Sequence, residues 1–239
     1  MTDPTGPPAG DRPAGGSPDR LPASAARLAE LLGDRLPRIE SVPAEDFALV
    51  EAVRGLLDAL VVTAAGPAVR AGVAATVGEL TATLAAVPRD TPFVLVRHAN
   101  GAVEHLTQAG SGRLNPRAPK VRFEGVVTPP PGSAPTPVEI LGHCTLGPSH
   151  AGSTGRAHGG VVATLLDEVL GTAALAGGAA GLTRRLEIDY RAPTPVGTEL
   201  VLRGRLDRVE GRKIWARGEV VADGVVTAEA VGLFIGERR

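Results

Sequence analysis

Gly155-Arg156-Ala157-His158-Gly159-Gly160-Val161-Val162-Ala163-Thr164-Leu165-Leu166-Asp167-Glu168 joins a polar, glycine-paired segment to a strongly apolar helix with an acid in its middle. The first turn of a helix carries N–H groups without intrahelical partners, at the positive end of the helix dipole, and suits developing negative charge. A carboxylate two turns further in is costly to bury, so it needs a partner or a task. Together the two features point to chemistry on a carbonyl.

On a helical wheel with Val162 at zero, Val161, Leu165, Leu166, Val169 and Leu170 gather on one side. Asp167 falls at about 140°, near Thr164 and Gly171, with Glu168 at the border of that polar strip. No Lys or Arg lies between Arg156 and Arg184, and the strip is rich in Ala, Gly and Thr, which suits contact with another surface better than exposure to water. Asp167 stands about 10 Å along the axis from Gly160 at 1.5 Å per residue. A general base and an oxyanion donor must both lie within about 3 Å of the reacting group. One helix cannot serve one carbonyl with both, whereas two antiparallel copies can, so the expectation is a two-fold homodimer with shared sites.

Around this helix the chain divides into three regions. Residues 1–22 are rich in Pro, Gly, Asp and Ala without apolar period and read as a disordered tail. Residues 23–90 read as a helical region: a short piece at Ser24–Leu32, then a hairpin. Its first helix opens at Pro43 and carries Phe47, Val50, Leu57, Leu60 and Val61; Gly66-Pro67 breaks it, and Val69, Val73, Val77, Leu80 and Leu84 mark the second. The hairpin reads as a packing appendage, with a partner-docking or lid element as the functional alternative. Residues 91–239 form the main domain.

In that domain Phe93–Val96 reads as a short strand, followed by a Gly- and Pro-punctuated connection through Pro119. Val121–Val127 and Val138–Leu146 read as strands around a proline-rich loop at Thr128–Pro135 that cannot enter a sheet interior. After the helix, expected over Gly159–Ala176, Leu186, Ile188 and Tyr190 alternate with polar residues. Leu200–Val209, Lys213–Ala222 and Val225–Ile235 follow as strands, separated by Glu210-Gly211 and Asp223-Gly224 turns. One buried helix followed by an antiparallel meander means α+β.

The composition narrows the function. A net charge of −1 and 3% aromatic residues leave neither an electrostatic footprint for nucleic acid nor a base-stacking platform. No uninterrupted apolar run of membrane-span length and no signal pattern occur, so no membrane partner is expected and the expected compartment is cytoplasmic. The single cysteine, Cys144, excludes an intrachain disulfide. His143, Cys144, His150 and His158 raise the question of a metal, but His143 and Cys144 are consecutive on a strand and point to opposite faces, so no metal site is assigned. No nucleophile-elbow, phosphate-cradling or dinucleotide motif is present.

His158-Gly159-Gly160, Asp167 nine residues after the histidine, and Thr183-Arg184-Arg185-Leu186-Glu187-Ile188-Asp189-Tyr190 resemble the hotdog-fold acyl-CoA thioesterases of the PaaI-like and THEM4-like branch. The resemblance covers roughly Val121 to Ile235. It implies a hotdog fold, in which a curved antiparallel sheet wraps a long central helix, dimerising through sheet edges and forming dimers of dimers. It assigns Asp167 as general base or nucleophile, the N–H groups at Gly159 and Gly160 as the oxyanion hole, His158 as shaping the helix start, and Thr183 as a hydroxyl orienting water or carboxylate. Arg156, Arg184 and Arg185 lie where CoA phosphates would be met. The implied reaction is hydrolysis of an acyl-CoA thioester, a thioesterase needing no cofactor. The alternatives are a non-catalytic acyl-CoA-binding or regulatory module and, on the same fold, a dehydratase or hydratase. Related enzymes carry an Asn or Gln before the histidine; Gly147–Gly155 offers Ser149, His150, Ser153 and Thr154 instead.

Overall fold

The computed structural model describes residues 35–91, 93–127, 129 and 133–236. The tail expected over residues 1–22, the helical piece at Ser24–Leu32 and parts of the proline-rich loop lie outside the described residues. The three described α-helices are α1 (Ala44–Val62), α2 (Pro67–Ala85) and α3 (Gly159–Ala176).

A six-stranded antiparallel sheet packs against α3. It contains β3 (Arg122–Phe123), β4 (Glu139–Thr145), β7 (Leu182–Tyr190), β8 (Glu199–Glu210), β9 (Lys213–Ala222) and β10 (Val225–Ile235), in the order β3-β4-β8-β9-β10-β7. Two small hairpins, β1 (Leu95–Arg97) with β2 (Val103–His105) and β5 (Ala151–Ser153) with β6 (Arg156–Ala157), stand apart from it. A long helix held by a large antiparallel sheet is the α+β hotdog arrangement expected above.

The core is built from short aliphatic side chains, as the scarcity of aromatics requires. Leu165, Leu166, Val169 and Leu170 of α3 are fully buried against Leu200, Leu202, Ala216 and Val220 of the sheet. By length and hydropathy α3 could cross a membrane; what covers its apolar side here is the sheet. Glycines let the two layers approach closely. A Cβ on Gly204 would lie 2.7 Å from the Val169 carbonyl oxygen, and one on Gly218 would lie 2.7 Å from a Leu170 methyl group.

The hairpin turns differ in detail from expectation. Between β9 and β10, Asp223 (φ 49°) and Gly224 (φ 79°) both take left-handed backbone, the type I′ geometry that matches strand twist. Between β8 and β9 the turn is Gly211-Arg212, one residue later than Glu210-Gly211: β8 runs on through Glu210, and the positive φ falls at Gly211.

The segment read as an irregular connection through Pro119 contains β2, and Val96, Leu106 and Leu114 make a second small core with Val50 of α1. Polar side chains tie helix α1 to the rest of the chain, among them Glu51, which accepts from Lys120 Nζ at 2.9 Å. Arg54 donates to the carbonyls of Asn115 (3.0 Å) and Ala118 (3.3 Å), and Asp58 accepts the Ser149 N–H at 2.9 Å.

Candidate active site

His158 caps α3. Its Nδ1 accepts the Gly160 N–H at 2.9 Å, and its carbonyl accepts from Val161 (2.9 Å) and Val162 (3.2 Å). Of the four first-turn donors only Gly159 N–H is left for a ligand among the described residues. The expected Gly159 and Gly160 pair therefore narrows to Gly159, because Gly160 is committed to the cap. The backbone N–H of His158 in turn donates to the His150 carbonyl at 2.9 Å, which ties the cap to the short 3₁₀ turn Pro148–His150.

Seven residues beyond Gly160, Asp167 leaves the apolar side of α3 toward β7, where the Thr183 hydroxyl donates to its Oδ1 at 2.9 Å. Thr183 could not face α3 in a regular strand. Leu186 and Ile188 pack on the core and Tyr190 reaches Gly159, so even-numbered positions of β7 face inward and Thr183 is odd. The ladder with β10 solves this: Leu233 pairs Arg185 and Phe234 pairs Thr183, leaving Arg184 as an extra residue. The bulge resets the alternation and turns Thr183 onto Asp167, a re-aiming for which bulges are used near active sites.

Two further groups escaped the sequence reading. Tyr190, read only as a strand residue, donates its hydroxyl to the Gly159 carbonyl at 2.8 Å and fixes the helix start to β7. Glu168, expected at the border of the polar strip, is instead turned into the protein, where Ser111 Oγ donates to Oε1 at 2.6 Å and Gln108 Nε2 donates to Oε2. Gln108 is held for this task, its own Oε1 accepting the N–H groups of Gly110 and Ser111. Burial pushes the Glu168 carboxyl above its ordinary value, against the two hydrogen bonds that favour its charge, and the neighbouring Asp167 adds to the rise. No signal in the α3 periodicity could have found this contact, since both donors come from the segment read as irregular.

The arginines are not gathered by side-chain contacts. Arg156 on β6 is exposed near the helix start, Arg184 is the bulge residue, and Arg185 is engaged with Glu187 on the exposed strand. Cys144 is buried and its thiol is pushed up to about 12 by that burial, so it is no nucleophile. No cluster of metal-ligating side chains occurs among the described residues.

Residues 154–229, which include the capped helix start, Asp167 and Thr183, match the family model of the thioesterase superfamily. Over 93 residues the chain is 34% identical to acyl-coenzyme A thioesterase THEM4 of Xenopus laevis, covering 37% of this chain and 41% of that protein. Its identity to the Bos taurus protein of the same name is 37% over 91 residues, 37% of each chain. The chain thus spans about two fifths of the length of the curated relatives it matches. A solved crystal structure of a thioesterase superfamily protein superposes with a TM-score of 0.67 at 31% identity, covering 83% of this chain and 97% of that one. That share is large enough to take in N-terminal helices as well as the sheet domain. From the fold, the capped helix and these similarities together, the chain belongs to the thioesterase superfamily.

Proposed function

We propose that the chain hydrolyses an acyl-CoA thioester to the free acid and CoA. The observation that carries this reading is the pairing of Asp167 with Thr183 on a helix whose start offers the Gly159 N–H. Thr183 occupies Oδ1 of Asp167 and orients the carboxylate, which leaves Oδ2 for water. Asp167 takes a proton from the water as its oxygen attacks the thioester carbon, and the carbonyl oxygen, gaining charge, is met by Gly159 N–H and the positive end of α3. Collapse of the tetrahedral intermediate breaks the C–S bond, and the CoA thiolate leaves, taking up the proton that Asp167 holds and restoring the carboxylate.

Asp167 and Gly159 stand about 12 Å apart along one helix, so the reading includes a homodimer whose sites each take the acid from one copy and the helix start from the other. Support for this comes from β7, which lies at the sheet edge with Leu182 and Tyr190 exposed, where a second copy can continue the sheet. Arg156, Arg184 and Arg185 are the candidates for CoA phosphates in that shared site.

The test is release of free thiol from a panel of short, long and aromatic acyl-CoAs. Turnover of at least one at a rate well above spontaneous hydrolysis supports the reading. Tight binding of acyl-CoA with no turnover on any member would replace it with a binding module.

A further inference from the structure

Glu168 is a carboxyl in a place where an uncharged amide would serve. Its Oε1 accepts from Ser111 Oγ at 2.6 Å and its Oε2 accepts from Gln108 Nε2. The clasp is closely built. A Cβ on the buried Gly110 would collide with Oε2, and Gln108 is itself fixed by the N–H groups of Gly110 and Ser111. A glutamine at position 168 could make the same two bonds, accepting from Gln108 and donating to Ser111, without the cost of taking a charge out of water. Docking this segment on α3 therefore does not account for a carboxyl. Burial penalises its charged form, and a titrating group is kept here against that cost.

What a carboxyl has and an amide lacks is a charge that pH turns on. Gln108 and Ser111, which face Glu168 from the other segment, do not titrate. Among the described residues the charged side chain acting on Glu168 is Asp167, the next residue of α3. Successive helical residues leave the axis about 100° apart. Asp167 accordingly turns to Thr183 on β7 and Glu168 to Gln108 and Ser111, so the two carboxyls have separate partners and are coupled through space. The coupling is reciprocal. A charge on Asp167 opposes ionisation of Glu168, and a charge on Glu168 opposes loss of a proton from Asp167.

We infer that Glu168 is a positioning residue that acts on Asp167 by charge: held by Gln108 and Ser111 beside the proposed base, it strengthens that base when it ionises. The inference rests on the proposed reaction, in which Asp167 takes a proton from the attacking water. A negative charge next to Asp167 favours its protonated form, so proton transfer from water is easier with Glu168 ionised than with Glu168 neutral. A thiolate departs without prior help from an acid, so what is gained in the attack is not lost in the collapse. The residues that hold Glu168 lie ahead of the family match, which starts at residue 154. Through Gln108 and Ser111 a segment outside the matched region thus sets the pH at which the base gains strength, without itself contacting Asp167.

The test is kcat for thiol release from one acyl-CoA that wild type turns over, measured on the full chain from pH 5 to 9 with spontaneous hydrolysis subtracted. Wild type, Glu168→Gln and Ser111→Ala are compared. The ratio of wild-type to Glu168→Gln kcat is expected to rise several-fold with pH through a single one-proton step, while KM shows no such step. Ser111→Ala keeps the carboxyl but removes a donor to its charged form, so its step is expected at higher pH than that of wild type. A clasp that only supports the fold would instead give a wild-type to Glu168→Gln ratio that is the same at every pH. Such a constant ratio in proteins of native circular dichroism, or a Ser111→Ala step at the wild-type pH, overturns the inference. A wild type that turns over no acyl-CoA overturns the proposed function and this inference with it. Turnover with a constant ratio removes this inference alone.

Discussion

Thr183 and Asp167 meet at 2.9 Å across the space between β7 and α3, and the extra residue Arg184 is what turns the hydroxyl inward. The carboxylate is thereby fixed by one oxygen. Replacing Asp167 with Asn keeps the size and the acceptor for Thr183 but removes the proton acceptor. Hydrolysis by Asp167→Asn should fall by at least ~10²-fold in kcat, with an unchanged melting temperature. Thr183→Ser keeps the hydroxyl and should stay within a few-fold of wild type, and Thr183→Val should lie between the two. Steady-state thiol release on all three variants checks the order, and an Asp167→Asn enzyme as fast as wild type would remove Asp167 from the chemistry.

Tyr190 ties the helix start to the sheet through the Gly159 carbonyl. The bond is solvent-accessible, so Tyr190→Phe should cost only about 0.5–1 kcal/mol of stability. Its larger effect should be on kcat, because a helix start that shifts by a fraction of an ångström misplaces the Gly159 donor. A several-fold loss in kcat with KM nearly unchanged is the expected signature; a pure KM effect would assign Tyr190 to substrate binding instead.

The α3 stretch and the meander were readable because each obeys a single period. The apolar positions of α3 recur at helical spacing, and Leu200 to Ile235 alternates with period two between turn dipeptides. What escaped depends on departures from period or on contacts distant in sequence. The bulge at Arg184 breaks alternation at the one position where alternation would have aimed Thr183 outward. The place of Glu168 is set by Gln108 and Ser111, some sixty residues earlier, in a segment whose glycines and prolines hide its order. Helix α1 was legible as a helix, but its role was not, since Asp58 acts through a backbone N–H at Ser149 that no side-chain pattern encodes.

Asp58 links the N-terminal helix to the start of α3 in two steps: it accepts from Ser149, and the adjacent His150 carbonyl accepts from His158, the cap of α3. Asp58→Ala should leave the Ser149 N–H without its partner and loosen the turn. The expected stability loss is about 1–2 kcal/mol, read by urea unfolding, together with a kcat reduction of several-fold. Asp58→Asn, which retains an acceptor oxygen, should restore most of both. If Ala and Asn behave alike, the hydrogen bond is not what positions the turn.

Glu168 gives the fold a pH dependence of defined sign. Its carboxyl is raised in the folded protein, chiefly by burial, from an ordinary value of 4.5. As pH rises past 4.5 the unfolded chain ionises first and is favoured, so the contribution of Glu168 is fully present below that pH and declines until the folded-state value is passed. Glu168→Gln should remove this decline. Its amide oxygen can accept from Gln108 Nε2 while its nitrogen donates to Ser111 Oγ, so the network survives without a titrating member. Urea unfolding from pH 4 to 8 should therefore show a flatter profile for the Gln variant, at least as stable as wild type at the alkaline end. Glu168→Ala strands both donors and opens a cavity, and should cost about 2–3 kcal/mol at pH 4, a difference that narrows as pH rises and the wild-type contribution declines. Parallel profiles for wild type and Glu168→Gln would mean that the Glu168 carboxyl titrates alike in the folded and unfolded chain, and would overturn the raised folded-state value.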